Sequence, residues 1–196
     1  MNADDAPPVR RLGRRAVFEN RVWRVYADAI ADAGGAQVPD YLVLEAKAAP
    51  ADAIGGVAVL PILADGRVAL LRNWRHAVGG WGWEAAKGFV ETGEDPAAAA
   101  LRELAEETGL ACEAADLVSL GAVHPEPAAM ATRAALFVAR NCAPLADHVR
   151  ETDEAGLGRV AFFAADAADA LWQTGEMRDA SSLLLLARRA AALKAP

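Results

Sequence analysis

Gly88-Phe89-Val90-Glu91-Thr92-Gly93-Glu94, followed after seven residues by Arg102-Glu103-Leu104-Ala105-Glu106-Glu107-Thr108-Gly109-Leu110, is the stretch that decides how this chain reads. Residues three and four apart share a helix face, so Glu103 stands one turn from both Glu106 and Glu107. Like charges at ~4 Å repel by roughly 1 kcal/mol in water and ~4 kcal/mol when partly buried, so such a face calls for a cation. Hard carboxylate oxygens suit Mg²⁺, with Mn²⁺ as the alternative; such ions bind through a few carboxylates plus the phosphates of a substrate. The competing reading is an ordinary solvated helix face laced by an Arg102–Glu106 pair.

The flanks predict a helix over 96–108. Asp95 is a fit N-cap, Pro96 sits at the first helical position, alanines propagate the helix, and Gly109 stands where a left-handed C-terminal residue belongs. Ala97, Leu101, Leu104 and Thr108 are expected to form the buried face, away from the glutamates. Residues 88–94, with glycine near both ends, read as a loop folding back over the helix start.

Composition narrows the class. The chain has 196 residues, 54% of them apolar, enough to fill the core of one large domain or of one domain with an appendage. A net charge of −7 argues against a nucleic-acid-binding surface, so an anionic substrate has to be captured locally. Cys112 and Cys142 lie far apart in sequence and outside any metal-ligand spacing, which points to reduced thiols and a cytoplasmic protein. The N-terminus lacks a secretory pattern, and no apolar run reaches the ~18 residues of a membrane span.

Along the chain, residues 1–15 are expected to be mobile or loosely docked. β-forming stretches at 16–18, 22–29 and 41–45, with Gly34-Gly35 as a turn, predict a small antiparallel sheet, so 16–52 reads as an N-terminal β subdomain. Residues 53–196 form the main domain. It opens with a hairpin, 56–63 and 68–72 around Ala64-Asp65-Gly66. Further strands are expected at 117–123, 134–139 and 160–163, and helices at 166–173 and 181–193. The fold class is α+β.

The spacing of Gly88, Glu94, Arg102, Glu103, Leu104, Glu106, Glu107, Gly109 and Leu110 resembles the Nudix hydrolase signature at every specified position. That resemblance implies the Nudix fold, an α/β/α sandwich with a mixed sheet. It also implies that Glu103 and Glu107 ligate metal, that Glu106 ligates or orients, and that Arg102 holds a carboxylate in place. The layout around the signature, with Leu71-Arg72-Asn73-Trp74-Arg75 ending a strand and a strand-rich N-terminal extension, is similar to the branch that cleaves ADP-ribose and nucleoside-diphosphate sugars. The similarity implies a homodimer that uses the extension and an Arg75 that contacts the diphosphate, for which a planar fork of five donors is suited. Trp23, Trp74, Trp81 and Trp83 offer aromatic faces for a base, with Trp74 beside Arg75 the one assigned to substrate.

The chain departs from that branch in places. Ala85-Ala86-Lys87 replaces its usual proline and alanine before the signature glycine, and a Lys-Gly junction is also seen in relatives acting on dinucleoside polyphosphates. The Lys87 carbonyl is a metal-ligand candidate and its ammonium a phosphate contact. His124 lies in the place of a substrate-shaping loop and reads as a loop histidine with a local hydrogen bond. The water-activating base is expected from 151–154, with Glu154 first and Glu151 second. Gly156 stands where relatives place another metal-binding acid. The expected reaction is Mg²⁺-dependent cleavage of ADP-ribose to AMP and ribose 5-phosphate, or of a related sugar nucleotide. The alternatives are a dinucleoside polyphosphate hydrolase or nucleotide-pool sanitiser, and a non-catalytic nucleotide-sensing module.

Overall fold

The computed structural model describes residues 7–49, 53–146 and 156–194. Glu151 and Glu154, the two candidates for the base, lie outside the described residues.

Three strands, β1 (Val9–Glu19), β2 (Trp23–Asp32) and β3 (Gln37–Ala46), form an antiparallel sheet in that order. The β2–β3 turn closes as Asp32 Oδ1 accepts the Ala36 N–H at 2.8 Å, with Gly35 at φ 88°. Strand β1 begins well before residue 16, so 9–15 is paired strand rather than a loosely docked arm. Arg14 explains why. Its guanidinium binds both oxygens of Asp28 at 2.7 and 2.8 Å, reaches Glu45 at 2.6 Å, and lies over the Tyr26 ring. Asp28 and Glu45 are buried, and Arg14 holds Asp28 well below the usual carboxylate range through that hydrogen-bonded pair. Composition alone gave no sign of this cross-strand network.

The second sheet has eight strands: β4 (Ile54–Leu63), β5 (Val68–Arg75), β6 (Gly80–Glu84), β7 (Ala86–Phe89), β8 (Leu110–Ala111), β9 (Leu117–Val123), β10 (Arg133–Pro144) and β11 (Leu157–Phe163). Its spine runs β11-β5-β4-β10-β8, and β4 and β10 are parallel whereas the other pairs are antiparallel. Side chains alternate across it as the period of two requires. Ala58, Leu60, Leu70, Leu136 and Val138 enter one core with α2 (Ala165–Ala170) and α3 (Ala180–Ala192). Val57, Val59, Leu71, Ala135 and Phe137 enter the other with α1 (Pro96–Thr108). Helices therefore cover both faces, giving an α/β/α sandwich.

Two local readings change. The β4–β5 hairpin pairs only at its tip, Ile62 opposite Val68; beyond it the strands splay, and β6 pairs along β5 while β7 pairs along β4. The segment before the helix is thus strand as far as Phe89, and the loop is confined to 90–95. A run holding Gly80, Gly82 and Gly88 gave no alternating apolar pattern from which β6 and β7 could be read. The N-terminal sheet docks on the main domain through Leu44, which exchanges backbone hydrogen bonds with Ala129 and Ala131, and through Trp23, edge-on to Phe89 at 5.5 Å.

Candidate active site

Helix α1 has the ends its sequence requires. Asp95 accepts the N–H groups of Ala97 and Ala98, Pro96 opens the helix, and Gly109 closes it at φ 68° with its N–H on the Ala105 carbonyl. Its buried side is Ala99, Ala100, Leu104, Glu107 and Thr108, so the expected face is shifted: Leu101 is only half-buried, and one of the glutamates turns inward.

Arg102 organises the outer side of the helix. Its Nε and Nη2 hold the two oxygens of Glu94 at 3.0 Å each, Nη2 also donates to the Phe89 carbonyl at 2.9 Å, and Nη1 donates to Glu103 at 2.7 Å and Glu106 at 3.0 Å. Glu94 in turn accepts the Glu91 N–H, and Arg102 with that N–H draws its pKa below the usual range. One arginine thereby ties the loop, the strand end and two carboxylates into one frame, charge-assisted throughout.

The inner side is organised by Lys87. Its N–H donates to Glu107 at 2.9 Å, which fixes the β7 backbone against the helix. Its ammonium lies 2.7 Å from Asp179 and 3.0 Å from Glu84, and Glu84 also takes the Arg75 fork, with Nη2 at 2.7 Å. Burial pushes Glu84 and Asp179 up. The cations outweigh it, Arg75 and Lys87 on Glu84 and Lys87 with Ser182 on Asp179, so both titrate below the usual carboxylate range. Asp179 caps α3 through the Ser182 N–H, and the Ser182 hydroxyl accepts the Ala85 N–H, linking the second helical layer to the β6–β7 junction.

The structure therefore brings Arg75, Lys87, Arg102, Glu103, Glu106 and Glu107 into one connected neighbourhood. It does not bring Trp74 there. Trp74 follows the opposite face of β5 from Arg75 and packs edge-on against Trp81 at 5.8 Å. His124 Nδ1 faces the Met130 carbonyl at 3.3 Å. Gly156, at φ 94°, abuts Trp74, whose carbonyl would lie 2.5 Å from an added Cβ, so the backbone there rejects a side chain of any kind. Sequence reading missed Glu84 and Asp179, the acids paired with Arg75 and Lys87. Asp179 meets Lys87 across 92 residues of sequence, a contact no local pattern announces.

Among the described residues no three acidic, histidine or cysteine side chains converge as a ready-made metal cage. The donor chemistry nonetheless fits a hard divalent ion, and the backbone at Gly88 leaves room for one of the carboxylates. An added Cβ on Gly88 would meet the Glu103 carboxyl at 1.9 Å, so only glycine lets that carboxylate lie against the Lys87–Gly88 backbone, beside the peptide that holds Glu107.

Comparison with known proteins agrees with this geometry. A family model for the NUDIX domain matches residues 54–189. The chain belongs to the NUDIX family. The mouse ADP-sugar pyrophosphatase is 44% identical over 71 residues, 36% of this chain and 33% of that protein. The Streptomyces rubellomurinus CMP-5'-(N-acetyl-N-hydroxy-3-aminopropyl)phosphonate hydrolase is 36% identical over 105 residues, 52% of this chain and 46% of that protein. The matches thus span less than half the length of these curated relatives. A crystal structure of an ADP compounds hydrolase superposes with a TM-score of 0.73 at 19% identity, covering 93% of this chain and 94% of that one, and so shares its NUDIX fold.

Proposed function

We propose that this NUDIX protein is a hydrolase of a nucleoside diphosphate joined to a second moiety, with ADP-ribose or a related sugar nucleotide as first substrate and AMP and ribose 5-phosphate as the products from ADP-ribose. The observation that carries the reading is the convergence at Lys87: its backbone meets the carboxylate helix, and its ammonium meets the Arg75–Glu84–Asp179 cluster. Lys87 of β7 thus links the carboxylates proposed for a metal, on α1, with the cations proposed for a diphosphate. The names of the mouse and Streptomyces relatives, a pyrophosphatase of an ADP-sugar and a hydrolase of a CMP conjugate, support the substrate class.

Glu103, Glu106 and Glu107, with the Lys87 carbonyl, would hold Mg²⁺ or Mn²⁺. Such an ion neutralises phosphate oxygens and lowers the pKa of its bound water. Arg75 and Lys87 orient the diphosphate; exchanging Glu84 and Asp179 for phosphate oxygens trades one anion for another around the same donors. Arg102 positions Glu103 and Glu106 and keeps the loop closed on the helix. A glutamate of the 151–154 segment, Glu154 before Glu151, takes the proton from the attacking water. Lys87-Gly88 favours a second reading, a dinucleoside polyphosphate hydrolase. We place the protein in the cytoplasm, acting as a homodimer formed through the N-terminal sheet, with no nucleic-acid partner. No helix among the described residues is long and apolar enough to cross a membrane.

Product chromatography tests this, with ADP-ribose, a sugar-nucleotide panel and diadenosine polyphosphates, each with Mg²⁺ and with chelator. AMP from ADP-ribose only with metal is the expected result. Cleavage confined to the polyphosphates moves the protein to the second reading, and no turnover of any substrate overturns both.

A further inference from the structure

The two cysteines, distant in sequence, meet in the fold. Strands β8 and β10 pair antiparallel with Ala143 opposite Ala111 and Pro144 opposite Leu110, and one further step in that register sets Cys142 opposite Cys112. The Leu145 N–H donates to the Gly109 carbonyl, so the hydrogen-bonded positions of this ladder are 145/109 and 143/111. The cysteines fall at the non-hydrogen-bonded kind, where opposed Cα atoms approach to ~4.5 Å, inside the ~4.4–6.8 Å that a disulfide spans.

A local irregularity makes the meeting possible. Odd-numbered residues of β10, Ala135, Phe137 and Ala139, face the α1 core, and even-numbered Leu136 and Val138 face the α3 core. By that alternation Cys142 belongs with α3. The register of β10 against β4 slips between Ala139 and Cys142, at Asn141, whose φ of 53° is the sole positive value at a non-glycine among the described residues. The slip inverts the alternation and delivers Cys142 to the α1 side, where it is 3% exposed and packed with the half-buried Cys112. The Cys142 thiol donates to the Ala139 carbonyl at 3.3 Å, and the Cys112 thiol is its close neighbour.

We propose that Cys112 and Cys142 are a redox-active dithiol, with Cys112 the site that hydrogen peroxide oxidises and Cys142 the thiol that resolves it into an internal disulfide. Cys112 is the more accessible member, and the neighbouring Cys142 draws its thiol below the usual range; Cys142 is pushed up by Cys112 and by burial. The Cys112 thiolate attacks one peroxide oxygen, the O–O bond breaks, and the other oxygen leaves as water after taking a proton, giving a sulfenic acid. Cys142 sulfur then displaces the sulfenic hydroxyl, which leaves as a second water with the Cys142 proton, and the S–S bond forms. Two thiols are oxidised by two electrons in all, and one peroxide is reduced to two waters. The bond would staple the strand leaving the carboxylate helix to β10.

The test treats the native full chain with hydrogen peroxide, then alkylates with iodoacetamide in denaturant and measures intact and peptide masses. The expected wild-type result is loss of both titratable thiols, a mass lowered by two hydrogen atoms, a peptide pair joining residues 112 and 142, and recovery of both thiols with dithiothreitol. Cys142→Ala, which keeps the core apolar, should stop at a Cys112 sulfenic acid that dimedone traps, and Cys112→Ser should leave the Cys142 thiol fully alkylatable. Two alkylated thiols in peroxide-treated wild type, linkage only between separate chains, or no dimedone adduct in Cys142→Ala overturns the proposal.

Discussion

At the scale of single residues, Gly88 and Glu107 make the sharpest contrast. An added methyl at Gly88 collides with the far end of the Glu103 side chain, not with backbone, so the carboxylate can swing away at little cost to the fold. Gly88→Ala is therefore expected to keep its melting temperature near wild type while metal-dependent turnover falls at least ~10-fold, as when a ligand loses its proper orientation. Titrating Mg²⁺ against rate checks it, and the lost activity should return in part at high metal. Glu107→Gln removes a charge from a buried position that accepts the Lys87 N–H. Its amide can still accept that bond, so the fold should persist while turnover drops by at least ~10²-fold, the loss of a ligand or proton-transfer group. A folded Glu107→Gln protein with near-normal turnover would sink the metal-site assignment.

At the scale of elements, what was legible followed local chemistry. Helix α1 has the predicted bounds because its start and stop are written in adjacent residues, Asp95-Pro96 and Gly109. Spacing alone set Glu103 one turn from Glu106 and Glu107, but not that Glu107 turns to the buried side. Strands β6 and β7 were not legible, because the glycine-rich run that forms them is held by the splaying of β4 from β5, a tertiary event. Glu84 and Asp179 escaped for the same reason, and they set a pH dependence. Both have folded pKa values held below the unfolded ones of ~4.3 and ~3.9, so their stabilisation is present above those values and is lost as pH falls through the folded pKa values. Lys87→Met removes the cation they share. The variant should be destabilised on the order of 3 kcal/mol at pH 7, as when one member of a buried pair is deleted, and should lose less further stability on acidification than wild type. Urea midpoints between pH 7 and pH 3 measure this, and parallel curves for the two proteins would contradict it.

At the scale of the whole molecule, the N-terminal sheet is joined to the site and also open to a partner. Trp23 packs on Phe89, the residue after Gly88, so this sheet braces the strand that carries Lys87. It also leaves apolar side chains uncovered: Leu12, Val17, Phe18, Val38 and Leu42 are all exposed, and β1 is an edge strand. A sheet with an open edge and an apolar surface pairs or aggregates unless something covers it. The Arg14–Asp28–Glu45 network, with both carboxylates buried, ties all three strands together, which makes the uncovered surface a defined shape rather than a fraying one. A second copy of the chain, meeting it with the same surface about a two-fold axis, would close it. The chain of 20.5 kDa should therefore sediment as a dimer at micromolar concentration. Phe18→Asp combined with Leu42→Asp should sediment as a monomer with its circular dichroism intact, because neither side chain belongs to a buried core. Sedimentation of the wild type at the monomer mass at that concentration would remove the dimer, and the exposed sheet would then need a different cover.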